Sequence, residues 1–178
     1  MIMKNNEYYS IVRRFLNSSY LTDLDGVVVN EPAISRYVRA DKADWLAYKT
    51  NMRVHSLRVS ALCYTASKFL KKIGLNVDVK KCTEAGALHD SGKTILPREE
   101  EEDFSKWGDH VRRGVHTART EFKEDEKVCN MIWKHQFPFP PPPYLPNSMP
   151  TTIEEWIVNI SDKVDTMFFR WINILRAL

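Results

Sequence analysis

Residues 84–93 read EAGALHDSGK, a stretch that joins a helix-forming segment to two side chains of metal-ligand type. Its first half consists of small and apolar residues suited to a closely packed helix, and an imidazole and a carboxylate follow at His89 and Asp90. Neighbouring His and Asp side chains at a helix end can bind metal together, and a carboxylate can bridge two ions. Because a His-Asp pair also occurs by chance, a metal site is predicted only if other segments supply further ligands.

The composition indicates one globular domain that is mostly helical. The chain has 178 residues, which is enough to bury a sizeable core, and only 6 glycines, which disfavours a turn-rich β protein. Its 26 basic and 23 acidic residues give a net charge of +3, too small to indicate a coat of nucleic acid. The sequence has no Cys-x-x-Cys pair, no signal-peptide-like start and no apolar run of about 20 residues. We therefore expect reduced thiols, no membrane partner and a cytoplasmic location.

Apolar residues recur at helical spacing along most of the chain. The pattern predicts helices over 8–16, 51–73, 79–90, 110–122, 126–136 and from 153 toward 178. Asp78 and Asp125 suit helix N-caps, and Gly74 suits a C-terminal cap. Thr151 or Thr152, with Glu154 or Glu155, predicts a capping box at the start of the last helix.

Two of these helices carry long apolar stripes that we expect to face the core. The stripe over 51–73 is Val54, Leu57, Ala61, Leu62, Phe69, Leu70 and Ile73. The stripe of the last helix is Ile157, Val158, Ile160, Val164, Phe168 and Ile172. Between the last two helices, the proline-rich tract 138–150 cannot be helical, and it is either a stiff linker or a lid over a site.

Six residues of metal-ligand type lie on or at the ends of five predicted helices. They are His55, His89, Asp90, His110, His135 and Asp162. Each one alone is readily explained as a core or boundary residue. Helices packed in a bundle can, however, aim side chains from several directions at one interior point. His116 follows His110 by six residues and is predicted to lie on a different face of its helix.

The order of these residues resembles the HD superfamily of metal-dependent phosphohydrolases, in which His, then His-Asp, then a distant Asp occur. The resemblance covers roughly residues 53–170 and rests on HSLRV at 55–59, ALHDSGK at 87–93 and IVNISDK at 157–163. It implies an all-α helical bundle around a metal centre. It also implies one domain over 1–178, with an N-terminal helical extension of about 1–50 and a core of about 51–178. The proline-rich stretch is similar to that of small single-domain bacterial members.

The binuclear branch of this superfamily implies two divalent ions that share one carboxylate. The ligands of the first ion would be His55, His89, Asp90 and Asp162, and those of the second Asp90, His110 and His135. Two ions about 3.5–4 Å apart can activate a bridging hydroxide that attacks phosphorus. Nitrogen and carboxylate ligands suit Fe, Mn, Zn or Ni, and the sequence does not choose among them.

The catalytic residues implied are Asp90 and Lys93, with Lys93 and Arg58 as contacts to the substrate phosphate. Arg58 lies one turn after His55, and the alternative is that it pairs with an acid. The expected substrate is a small phosphomonoester, phosphodiester or phosphoanhydride of a nucleotide, and not a nucleic-acid duplex. His135 is followed by Gln136 rather than a second histidine, and the Gly-Tyr-Pro sequence of the cyclic-di-nucleotide phosphodiesterases is absent. Both departures argue against a cyclic dinucleotide.

Two other functions agree with the same ligands. One is a diiron oxygenase of the same fold, whose ligand set is very similar. The other is a non-catalytic domain that senses nucleotides. The oligomeric state is open, with a homodimer as one option.

Overall fold

The structure, a computed structural model, describes residues 6–16, 28–30, 49–92, 108–138 and 145–177. The helices in these ranges are α1 Asn6–Leu16, α2 Met52–Lys72, α3 Val79–Leu88, α4 Asp109–Thr120, α5 Glu126–Lys134 and α6 Ile153–Ala177. Two short strands, β1 Val28–Asn30 and β2 Lys49–Asn51, pair antiparallel with Val28 opposite Asn51. A pair of three-residue strands cannot form a core layer, so the expected all-α class is confirmed.

Several helix ends form at the residues that the sequence indicates. Asp78 accepts a hydrogen bond from the backbone N–H of Lys81 at the start of α3, and Asp125 accepts one from that of Val128 at the start of α5. Both carboxylates therefore satisfy N–H groups that a helix start leaves unpaired. Gly74 follows α2 with a φ of +95°, a conformation in which glycine has no steric penalty.

The last helix begins with a reciprocal capping box. The backbone N–H of Thr152 donates to Glu155 Oε2 at 3.0 Å, and the backbone N–H of Glu155 donates to Thr152 Oγ1 at 3.3 Å. The preceding proline tract reaches α6 through a segment in which Leu145 is fully buried. Residues 139–144 of this tract lie outside the described residues. The choice between a stiff linker and a lid depends on them and stays a prediction.

A close contact between α2 and α3 decides which face of α2 is buried. A Cβ on Gly86 would lie 2.9 Å from Cys63 Sγ and 3.0 Å from Ser60 Cα. The two helices are therefore so close that only small residues fit at the contact between them. The expected inward position is wrong for Val54, Phe69 and Ile73, which are 44%, 61% and 59% exposed. The buried row on α2 instead includes small residues, namely Ser56, Ser60, Cys63 and Ser67.

The inner face of α6 also differs from its predicted stripe, because polar residues take part of it. Ile157 and Val158 are buried as expected, but Ile160 and Val164 are 52% and 46% exposed, so their predicted inward position is wrong. The inward positions beyond Val158 are taken by polar residues, namely Asn159, Ser161, Asp162 and Asp165. The side chains at 168 and 172 are outside the described set.

The core between the helices is apolar and continuous. It includes Val12, Phe15, Val59, Leu88, Val128, Met131, Ile132 and Val158. No helix in the described part of the chain is long and apolar enough to cross a bilayer. The cytoplasmic location stays a prediction.

Candidate metal centre

Five helices bring the six predicted ligands into one cluster. His55 lies in the first turn of α2, His89 and Asp90 directly follow α3, and His110 lies in the first turn of α4. His135 directly follows α5, and Asp162 lies in the middle of α6. Every one of the six has a ring nitrogen or carboxylate oxygen within 4.0 Å of another member.

The first half of the cluster is a compact group of three side chains. His55 Nε2 lies 3.1 Å from His89 Nε2 and 3.3 Å from Asp162 Oδ1. His89 Nε2 lies 3.5 Å from the same Asp162 oxygen. Three donor atoms at this separation, each on or directly after a different helix, could hold a metal ion between them.

Asp90 joins this group to a second set of nitrogens. Its Oδ2 lies 3.3 Å from His89 Nε2 and 3.5 Å from His55 Nε2. Its Oδ1 lies 3.6 Å from His135 Nε2 and 3.9 Å from His110 Nε2. The two oxygens of one carboxylate therefore face two different groups of imidazoles.

Hydrogen bonds at the opposite ring nitrogen orient two of these imidazoles. His89 Nδ1 donates to the carbonyl oxygen of Gly86 at 2.8 Å, and His135 Nδ1 donates to that of Ile132 at 2.6 Å. A neutral ring that donates from Nδ1 presents the lone pair of Nε2, which is what a metal ion requires. His135 Nε2 is buried and has no hydrogen-bond partner among the described residues. These residues fit a divalent cation.

A glycine contact places α4 close to the His-Asp pair. A Cβ on Gly92 would lie 1.8 Å from the carbonyl oxygen of His110 and 2.7 Å from the backbone nitrogen of Gly114. Ser91 Oγ donates to the carbonyl oxygen of Gly114 at 3.3 Å. The absence of a side chain at 92 thus lets the first turn of α4 approach, and His110 reaches Asp90 as a result.

The carboxylates of the cluster raise the pKa of two of its imidazoles. Burial lowers the pKa of His55, but Asp162, Asp165 and Asp90 outweigh burial and raise that pKa well above its usual value. Burial also lowers the pKa of His89, but the negative charge of Asp90 outweighs burial and raises that pKa to about 9. His135 is different, because burial dominates and lowers its pKa. The buried carboxylates thus favour positive charge at this cluster, and a divalent metal ion would supply such charge.

Asp165 is a site residue that the sequence analysis missed. Its Oδ2 accepts a hydrogen bond from His55 Nδ1 at 2.8 Å, and its two oxygens accept from Arg58 Nε and Nη2 at 2.7 and 3.0 Å. Burial would raise the pKa of Asp165, but the bonds from His55 and Arg58 lower it. The available signal was its position three residues after Asp162, which places both on one face of α6.

The predicted substrate contacts have different outcomes. Arg58 forms an ion pair with Asp165, so the alternative that it pairs with an acid is found in the structure. Its role as a phosphate contact stays a prediction. Lys93 lies outside the described residues. His116 is exposed. The side chains of the six predicted ligands are buried or nearly so, with Asp162 the most exposed at 15%.

The chain is similar to one known protein family and to several known proteins. A family model described as HD domain matches residues 53–167. Ribonuclease Y of Mesoplasma florum is 39% identical over 89 residues, which cover 50% of this chain and 15% of that protein. Ribonuclease Y of Desulforamulus reducens is 30% identical over 118 residues, which cover 66% and 19%. The chain thus spans less than a fifth of the length of these curated relatives.

Among solved structures, a conserved hypothetical protein from Pyrococcus furiosus has a similar fold. Its TM-score is 0.56 and its sequence identity is 18%, over 90% of this chain and 81% of that one. At this identity the likeness supports the fold alone. The family match, which spans well over half of the chain, shows that the protein belongs to the HD-domain family.

Proposed function

We propose that this protein is a metal-dependent phosphohydrolase with a two-ion site. The observation that carries the proposal is the position of Asp90, whose two oxygens face separate groups of imidazoles at 3.3–3.9 Å. A carboxylate in that position suits a bridge between two ions. The first ion would take His55, His89, Asp90 and Asp162, and the second would take Asp90, His110 and His135.

In each half of the proposed site, hydrogen-bond partners orient ligating imidazoles. Asp165, which itself accepts hydrogen bonds from Arg58, holds the ring of His55, and the carbonyl oxygens of Gly86 and Ile132 hold the rings of His89 and His135. Such partners fix the tautomer and orientation of a ligating imidazole before the ion binds, which raises affinity. When bound, divalent ions such as Fe, Mn, Zn or Ni supply Lewis acidity that activates water and neutralises charge on phosphoryl oxygens.

The burial of the ligands favours a small phosphorylated substrate. All six side chains are at most 15% exposed, so a phosphate group has to enter a recessed site. Basic side chains on α4 and α5 are paired with acids, as in Arg112–Asp109, Arg119–Glu126, Lys127–Glu154 and Lys134–Glu155. An extended strand of nucleic acid is usually held by basic side chains along its backbone. We therefore favour the phosphate of a nucleotide, with Lys93 and Arg58 as its contacts.

The similarity to ribonuclease Y favours a second candidate substrate, the phosphodiester bond of RNA. The chemistry at phosphorus would be the same, and the difference would lie in how the substrate is held. An exposed single strand could present one phosphate to a recessed site. A base-paired duplex stays the least favoured polymer.

Metal analysis of the purified protein, followed by two activity screens, tests these proposals. One screen measures the release of phosphate or nucleoside from nucleoside monophosphates, nucleoside diphosphates and dinucleotides. The other measures cleavage of single-stranded RNA oligonucleotides. Asp90→Asn serves as the negative control, and oxygen consumption under the same conditions tests the diiron oxygenase alternative. Bound metal without hydrolysis or oxygen uptake would contradict the phosphohydrolase proposal and favour a sensing domain.

A further inference from the structure

The side chain of Asn159 on α6 holds the end of α5. It is 2% exposed, and its Nδ2 donates to the carbonyl oxygens of His135 at 2.7 Å and Phe137 at 2.8 Å. The carbonyl oxygen of Lys134 is also within reach at 3.2 Å. Carbonyl groups in the last turn of a helix have no N–H partner within the helix, so a buried donor from outside is needed.

A second donor from α6 reaches the same peptide group. Lys163 Nζ donates to the carbonyl oxygen of His135 at 2.9 Å. Asn159 and Lys163 are one helical turn apart and lie on either side of Asp162 along the chain. The backbone of a proposed second-ion ligand is thus tied to the helix segment that carries a proposed first-ion ligand.

The ring of His135 has little freedom apart from its backbone. Its Nδ1 is bonded to the carbonyl oxygen of Ile132, in the same last turn, and the residue is fully buried. The position of Nε2 therefore follows the position of the α5 end. That end is held against α6 by two donors, of which Asn159 reaches three carbonyl oxygens and Lys163 reaches one.

We infer that Asn159 is a positioning residue that sets where His135 presents Nε2 to the second ion. The inference rests on the two-ion site proposed above. Loss of the amide donor lets the end of α5 move, while the ligands of the first ion stay on α2, α3 and α6. Since loss of such supporting groups typically costs about 10- to 100-fold in metal affinity, we expect a loss of this size at the second ion alone.

The shape of Asn159 and its hydrogen bonds can be separated by substitution. Asn159→Leu keeps a similar size without any donor, and Asn159→Asp keeps size and polarity but replaces the donor with an acceptor. Asp165→Asn is the matched control on the same helix, because Asp165 contacts the first-ion ligand His55 instead. A residue that only fills space would tolerate Asn159→Leu.

The test is calorimetric titration of the metal-free protein with Mn²⁺, with electron paramagnetic resonance to detect magnetic coupling between two bound ions. The expected result is that the Asn159 variants bind the second Mn²⁺ about 10- to 100-fold more weakly and lose the coupled signal, with first-ion affinity within about threefold of wild type. Asp165→Asn should weaken the first ion instead. If Asn159→Leu does not fold, Asn159→Asp carries the test.

Two outcomes overturn the inference, and they differ in what else they affect. Wild-type binding of two ions by both Asn159 variants, or equal weakening of both ions, refutes the positioning role and leaves the two-ion site intact. Binding of a single Mn²⁺ by the wild-type protein refutes the two-ion proposal itself, and the role of Asn159 with it.

Discussion

Substitution of Gly92 by alanine should separate the two halves of the proposed metal centre. The added Cβ would lie 1.8 Å from the carbonyl oxygen of His110, which is 1.6 Å short of the 3.4 Å at which ordinary contact begins. The obstacle is backbone, so rotation of a side chain cannot relieve it. The first turn of α4 has to move away from the turn that follows α3.

The size of this movement sets the expected effect. Functional sites tolerate displacements of about 0.5 Å, and the required shift is several times larger. His110 lies 3.9 Å from Asp90 Oδ1, so it should no longer share an ion with that carboxylate. The proposed ligands of the first ion are not on α4 and should keep their positions. Overpacking of this kind costs about 3 kcal/mol, or about 6–12 °C in Tm for a chain of this length.

The assay is Mn²⁺ titration together with thermal unfolding of the metal-free protein, since bound ions would themselves raise Tm. Gly74→Ala is the control, because Gly74 has a φ of +95° but no atom within 4 Å of an added Cβ. It should cost about 1 kcal/mol through backbone conformation and leave metal binding unchanged. The reasoning is refuted if Gly92→Ala binds two ions with wild-type affinity, or if it is no less stable than Gly74→Ala.

Four further variants test other parts of the structure. Asp90→Ala should remove both ions or leave them loosely held, whereas His116→Ala should leave metal content unchanged; equal metal loss, measured by elemental analysis, would show that the histidines are misassigned. His135→Ala should fold normally, keep about one ion per chain and lose most hydrolysis, and near-normal turnover with one tightly bound ion in both proteins would contradict the two-ion site. Thr152→Ala should cost about 1 kcal/mol through loss of the α6 cap, seen as a Tm lower by about 2–4 °C, with unchanged metal content.

The helices and their ends could be predicted from the sequence because the signals are local. Apolar spacing and a capping carboxylate such as Asp78 or Asp125 act within one or two turns of the chain. The ligand candidates were also available, since their residue types and their order along five helices are sequence properties. Their common location followed from the expectation of a helical bundle.

The buried faces of two helices could not be predicted, because hydrophobic spacing reports apolar residues only. On α2 the closest contact selects small side chains such as Ser60 and Cys63, so Phe69 is left outside despite its hydrophobicity. On α6 the inner face turns toward a polar centre, and Ile160 is exposed for that reason.

The sequence alone determined that the chain is helical, which residues could bind metal and which family it resembles. Only the tertiary structure decided that Asp165 supports His55, that Asn159 holds the end of α5 and that Gly92 admits α4. The physical reason is distance along the chain. A cap depends on neighbours three residues away, whereas each of these contacts joins residues 18 or more positions apart, and only the packing of the helices brings them together.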